Sequence, residues 1–163
     1  KKVIEDLQKG ESQKLFILDG KRPDIDRANK ERFFDQLKEY VDEEKRSCIN
    51  ELYDWVNQRK EEFEIAWGGG ERLSTMRFFV KRWKVDPIAI NGDGRVWVGY
   101  QGNPAISPWK LPQEVTAILQ QMFKHPKPTW YTAPLNNHSD LDNIKKALEV
   151  LAEYSKHSDI IWK

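Results

Sequence analysis

The period of the apolar positions changes several times along the chain, and each change marks an element. Val3 to Leu7 and Leu15 to Asp19 are short apolar runs separated by the turn-forming Gln8-Lys9-Gly10-Glu11-Ser12, which predicts a β-hairpin. From Asn29 onward, Phe33, Phe34, Leu37, Tyr40 and Val41 recur at the three- and four-residue spacing of one helix face. Ile49, Leu52, Tyr53 and Val56 repeat that spacing after the charged break Asp42 to Arg46. Two amphipathic helices over about 29–43 and 47–61 follow.

A strand is predicted near Phe63 to Trp67. The next stretch, read as a strand, sets Arg77, Phe79, Lys81 and Trp83 on one face and Phe78, Val80 and Arg82 on the other. Pro87 to Ile90 and Arg95 to Tyr100 flank Asn91-Gly92-Asp93-Gly94, whose Asn-Gly and Asp-Gly pairs suit a tight hairpin turn. Pro112 opens a helix that runs to about Lys124 and is stopped by His125-Pro126-Lys127-Pro128. Ser139 and Asp142 have the spacing of a capping box, ahead of a helix lined by Leu141, Ile144, Leu148, Leu151 and Ala152. The pattern contains no internal repeat. It predicts an α+β fold, a mixed sheet with flanking amphipathic helices, and α/β if the first strands join a larger sheet.

Composition narrows this picture. The 163 residues fit one domain, large enough to fold without a disulfide or structural metal. Seven Trp, seven Phe and five Tyr supply the apolar area of a packed core and exclude disorder over most of the length. No apolar run reaches the length of a membrane span, no signal-peptide pattern opens the sequence, and the single Cys48 excludes a disulfide framework and a zinc finger. A cytoplasmic protein with no membrane partner is the expectation, with Cys48 packed inside a helix.

The formal net charge of +1 hides an asymmetry: residues 1–64 carry 14 Lys/Arg and 17 Asp/Glu, and residues 65–163 carry 13 and 9. Gly68-Gly69-Gly70 lies at the crossover as a candidate hinge, so the chain divides into residues 1–62 and an α+β lobe of residues 63–163, or forms one compact domain. The same glycines lack the lysine and hydroxyl that a phosphate-binding loop needs, and His125, His138 and His157 are too dispersed to predict a metal triad.

One constellation suits chemistry. Leu15-Phe16-Ile17-Leu18-Asp19-Gly20-Lys21 is an apolar strand that ends in an Asp-x-Lys triplet, and side chains two apart on a strand share a face. A carboxylate there can ligate Mg²⁺, and an ammonium beside it can stabilise a phosphate oxyanion. Asp6, on the partner strand of the predicted hairpin, can share that metal. The residues equally suit a plain turn at Asp19-Gly20, with Lys21 and Arg22 solvated and with Gln36 and Tyr40 at the edge of an apolar helix stripe.

Asp6 followed by Asp19-Gly20-Lys21 resembles the PD-(D/E)xK nuclease motif, and Gln36-Leu37-Lys38-Glu39-Tyr40 resembles the Gln-x-x-x-Tyr element of RecB-type and restriction-type members. The resemblance covers residues 3–41. It implies a restriction-endonuclease-like core bearing a hairpin-and-helix lobe, and a Mg²⁺-dependent restriction or repair-type nuclease that hydrolyses phosphodiesters in DNA. By the same resemblance Asp6 and Asp19 are the metal ligands, Lys21 is the lysine that assists attack by water, and Gln36 and Tyr40 are supporting or DNA-facing groups. The family sets Pro before its first acidic position, where Glu5 stands here, and it places an opening helix and a first strand ahead of that position. The resemblance therefore implies either a fragment of a longer nuclease or elements supplied by another chain.

Two further features bear on partners. Arg72, Arg77, Lys81, Arg82 and Lys84 fall in an acid-free stretch interleaved with Phe78, Phe79 and Trp83, a combination that can neutralise phosphates and stack on bases. Half-exposed strand cations that snorkel give the same pattern. Trp97, Tyr100, Trp109, Trp130 and Tyr131 are candidates to line a groove, and the proline-punctuated loop Asn103 to Trp109 suits contact with a partner. The alternative to a nuclease is thus a non-catalytic module that binds a protein or peptide, or a second copy of itself, through its aromatic C-terminal half.

Overall fold

The structure, a computed structural model, describes residues 22–125, 127 and 130–162. The elements run α1 (Arg22–Tyr40), α2 (Glu43–Asn57), β1 (Phe63–Gly69), β2 (Ser74–Val80), β3 (Val85–Asn91), β4 (Val96–Val98), β5 (Trp109–Lys110), α3 (Gln113–Phe123), β6 (Tyr131–Ala133), α4 (His138–Ser155) and β7 (Ile161–Trp162). The fold is α+β. Five strands form one sheet in the order β1-β2-β3-β4-β6, and β5 pairs with β7 apart from it. The sheet is antiparallel in every described pairing rather than mixed. The predicted strands Val3 to Leu7 and Leu15 to Asp19 lie outside the described residues.

Strand alternation gives the sheet two unlike faces. On one, the register aligns Trp67, Met76, Ile90, Val96 and Ala133 in a row across all five strands, with Phe63, Phe78, Val80, Ile88 and Val98 beside it. These side chains form one buried core with Phe33 and Leu37 of α1, Cys48, Ile49, Leu52 and Val56 of α2, Leu119 of α3, and Leu141, Ile144, Leu148 and Leu151 of α4. Each large apolar side chain buried there contributes on the order of 1.5–3 kcal/mol. Residues before and after position 62 share this core, and Gly68 and Gly69 are paired strand residues of β1 opposite Thr75 and Ser74, not a hinge.

Several boundaries differ from the sequence prediction for local reasons. Helix α1 begins seven residues before Asn29, because Arg22 to Ala28 continue the helix without extending its apolar stripe. Asp42 is no mere break: its carboxylate accepts from Lys45 N–H at 2.9 Å and caps α2, which starts at Glu43. Strand β2 ends at Val80. Lys81 to Lys84 turn the chain with Lys84 in the left-handed region, φ 57°, and Trp83 is buried with its indole N–H donating to Ser158 O at 2.7 Å. Lys81 and Trp83 therefore do not extend the strand face of Arg77 and Phe79. Helix α4 is capped by Asn137 instead of Ser139: the Asn137 side chain accepts from Asp140 N–H, and the Asp140 carboxylate accepts from Asn136 N–H. No described helix is long and apolar enough to cross a membrane.

Candidate nucleic-acid interface

Among the described residues, the helices pack on one face of the sheet and leave the other uncovered. Its central row is Ala66, Arg77, Ala89, Trp97 and Thr132, each paired to the next across five strands. Phe79 stands on the same face of β2, and Gly68, Thr75 and Asn91 form the neighbouring row. Trp130 lies over Gly99 so closely that a Cβ there would sit 2.2 Å from its ring atoms. Its indole N–H donates to Gln101 O at 2.9 Å, and the residue remains 40% exposed. Phe79, Trp97 and Trp130 thus rise from a floor of small side chains on a face that in a half-solvated antiparallel sheet is ordinarily polar.

Guanidinium groups accompany the rings. Arg77 Cζ lies 5.2 Å from the centroid of Phe79, and Arg95 Cζ lies 5.6 Å from that of Trp97. Each arginine is anchored through Nε by a carboxylate: Arg77 to Asp86 at 2.7 Å and Arg95 to Asp93 at 2.9 Å. A guanidinium has five N–H donors, of which each of these carboxylates engages the Nε one. A cleft of about 530 Å³ adjoins the face. Arg77, Asp86, Asn103, Ile106 and Trp130 are among the residues that line it. Ile106 is 81% exposed at its rim.

The five aromatics proposed for one groove are divided. Trp97 and Trp130 belong to the uncovered face, whereas Tyr100 and Trp109 are buried. Tyr131 stacks on Tyr100 and on His125, with ring centroids 6.0 Å and 4.0 Å apart, and burial pushes the phenols of Tyr131 and Tyr100 above the ordinary tyrosine range.

The five basic residues of the acid-free stretch are also dispersed. Arg72 lies in the β1–β2 connection beside Tyr40, Asp93 and Arg95, and Arg77 is central on the uncovered face. Lys81 lines a groove along β1, and Arg82 lies against Glu61, Glu62 and Lys156. Lys84 occupies the left-handed turn position. Sequence reasoning missed Arg95 as a partner of Arg77, although the two-residue spacing Arg95, Trp97, Gly99 carried the signal.

Of the nuclease-like residues, Asp6, Asp19 and Lys21 lie outside the described residues. Gln36 and Tyr40 both sit on α1, in different settings. Gln36 is buried: its amide N–H donates to Arg72 O at 3.0 Å and its carbonyl accepts from Ser74 N–H at 2.9 Å. It ties α1 to the start of β2. Tyr40 is 56% exposed. No group of three or more His, Cys, Asp or Glu among the described residues is arranged to hold a metal ion. No protein-family model, curated protein or solved structure matches this chain.

Proposed function

We propose that the chain binds single-stranded nucleic acid on the uncovered face of its sheet. The observation that carries this reading is the aromatic and arginine surface of Phe79, Trp97, Trp130, Arg77 and Arg95 on a sheet face that no described helix covers. Unpaired bases expose both ring faces and can lie on the aromatic side chains, while guanidinium groups beside the rings meet phosphates or stack on further bases. Bases within a duplex are already stacked on one another, which favours the single strand. Phe79 and Trp97 are two strands apart, about 10 Å across the sheet, with the small Ala89 between their strands.

Fluorescence anisotropy with a labelled single-stranded oligonucleotide tests the reading. Trp97→Ala and Phe79→Ala should each weaken binding by about 5- to 100-fold, the effect of losing one stacked base. Arg77→Ala should reduce the slope of log affinity against log salt by about one. Absence of binding, or binding indifferent to Trp97 and Phe79, overturns it.

Phosphodiester cleavage is the enzymatic form of the same reading and rests on the resemblance. It is supported by α1, which follows Lys21 directly and carries both Gln36 and Tyr40. Asp6 and Asp19 would hold Mg²⁺, which would supply an activated water for attack on phosphorus. Incubation of plasmid DNA with Mg²⁺ should give nicking that Asp19→Ala and Lys21→Ala abolish. Intact plasmid under all conditions leaves a binding module. A protein or peptide ligand is the second reading, favoured by the exposed Ile106 at the rim of the cleft. It predicts that Ile106→Asp abolishes binding to a protein partner while oligonucleotide affinity stays absent in the unaltered chain.

A further inference from the structure

An irregularity in strand pairing carries a carboxylate of β3 onto the uncovered face. Val80 of β2 pairs with Val85 and Phe78 pairs with Ile88, so the single Phe79 stands opposite two residues, Asp86 and Pro87. Regular alternation would put Asp86 on the side of Ile88 and Ile90, in the core. The bulge re-aims it. Asp86 Oδ2 accepts from Nε of Arg77 at 2.7 Å, and Cζ of the same guanidinium lies 5.2 Å from the Phe79 ring centroid. A carboxylate has two oxygens, of which Arg77 engages Oδ2. A negative charge on a face that meets phosphates works against binding, so Asp86 calls for a compensating contact.

Asp86 lines the cleft of about 530 Å³ together with Trp130 and the loop Gly102 to Ser107. That volume lies in the range of small-ligand sites, roughly 300–1,000 Å³. The lining is held before any ligand arrives. Gly102 N–H donates to Trp109 O at 2.8 Å, and Ser107 N–H donates to Asn103 O at 2.9 Å. Asn103 Oδ1 accepts from Ala105 N–H at 2.8 Å, and the Trp130 indole is fixed by its bond to Gln101 O. Walls set in advance reduce the ordering cost of binding.

We propose that this cleft takes one guanine base of the bound strand and that Asp86 reads it. The base lies against the Trp130 ring with its pairing edge toward the carboxylate. Guanine presents N1–H and an N2 amino N–H side by side there, two parallel donors that match the two oxygens of one carboxylate. Adenine and cytosine set a ring-nitrogen acceptor beside their amino group, and thymine and uracil set a carbonyl on each side of N3–H. Each of these brings an acceptor against a carboxylate oxygen, which repels it and leaves it unpaired. Arg77 is the positioning residue: its Nε fixes the carboxylate, its other donors meet a phosphate, and its charge offsets that of Asp86. The inference rests on the single-strand reading for the chain that delivers the base.

Fluorescence anisotropy with short oligothymidines that carry one central guanine, inosine or adenine tests it. Inosine keeps N1–H and O6 of guanine and lacks only the N2 amino group. The guanine strand should bind about 5- to 150-fold more tightly than the adenine strand, the discrimination of one bidentate base contact, with inosine between them. Asp86→Asn puts an amide donor where the second acceptor is needed, and should bring the guanine and adenine strands within about twofold of each other. A carboxylate that only anchored Arg77 would weaken all three strands alike in that variant and keep their order. That result, or equal affinities for the three strands in the unaltered protein, overturns the inference and leaves the single-strand reading standing. Absence of binding to every strand overturns both.

Discussion

Gln36 shows how one residue can satisfy a sequence motif and serve the fold. Its amide joins two backbone groups that are distant in sequence, and the position of a Cβ at Gly92 would fall 2.0 Å from Gln36 Oε1. Gln36→Ala should therefore destabilise the protein by about 2–3 kcal/mol in chemical denaturation, because it strands the Ser74 N–H and opens space beneath it. Tyr40→Ala, on the exposed side of the same helix, should change stability by less than about 0.5 kcal/mol. The spacing of Gln36 and Tyr40 was legible from the sequence. Their unlike environments were not, since those depend on where the β1–β2 connection and the β3–β4 turn meet the helix.

Titration offers a further test at this scale. Glu51 lies 3.0 Å from Lys145 Nζ and 3.3 Å from His138 Nε2, and the hydrogen bond from Lys145 is the main cause that holds its carboxyl below the usual carboxylate range. A lowered folded pKa makes the contribution present in full above the ordinary value of 4.5 and lost as pH falls through the depressed one. Glu51 and His138 are substantially solvated, so the effect is small after screening. Glu51→Gln should be slightly less stable than the unaltered chain at neutral pH, and thermal unfolding curves should converge with acidification below about pH 4.

At the scale of elements, helix and strand identities followed the apolar period, while their ends followed interactions that the period does not record. Helix α3 closes on Lys124 in the left-handed region, φ 56°, with His125 N–H donating to Gln120 O at 2.9 Å. Glycine is the favoured residue there, so Lys124→Gly should raise stability by about 1 kcal/mol in denaturant titration. Asp42→Ala should lower it by a similar amount, about 1 kcal/mol, by removing the cap of α2. The basic stretch was misread as a longer strand because Arg77 to Trp83 alternates convincingly on paper. The tight turn at Lys81 to Lys84 interrupts it and carries Trp83 into the interior, a consequence of Trp83 reaching Ser158 across the molecule. That contact joins residues 75 positions apart and has no local signature.

For the whole molecule, one core supports the helices and the sheet, with Cys48 fully inside it. Burial, followed by the neighbouring Glu44 and Glu51 charges, pushes the Cys48 thiol above its usual range. It should react with a thiol reagent only through opening of the fold, and its modification rate should rise in step with the unfolded fraction as denaturant is added. The core and the fold class were legible because apolar periodicity encodes them. The uncovered face was only half legible: Trp97 and Trp130 stood out as aromatics, but the register that aligns Arg77 with Trp97 and the turn that brings Arg95 beside it exist only once five strands are paired.

The most direct test is a titration of the ¹⁵N-labelled protein with a short single-stranded oligonucleotide, followed by amide and indole N–H shifts. The account predicts changes concentrated at Arg77, Phe79, Ala89, Trp97 and Thr132, and at the indoles of Trp97 and Trp130, with the helix-covered core unmoved. Shifts confined to Lys81, Arg82 and Lys84, or no shifts at saturating oligonucleotide, would contradict it.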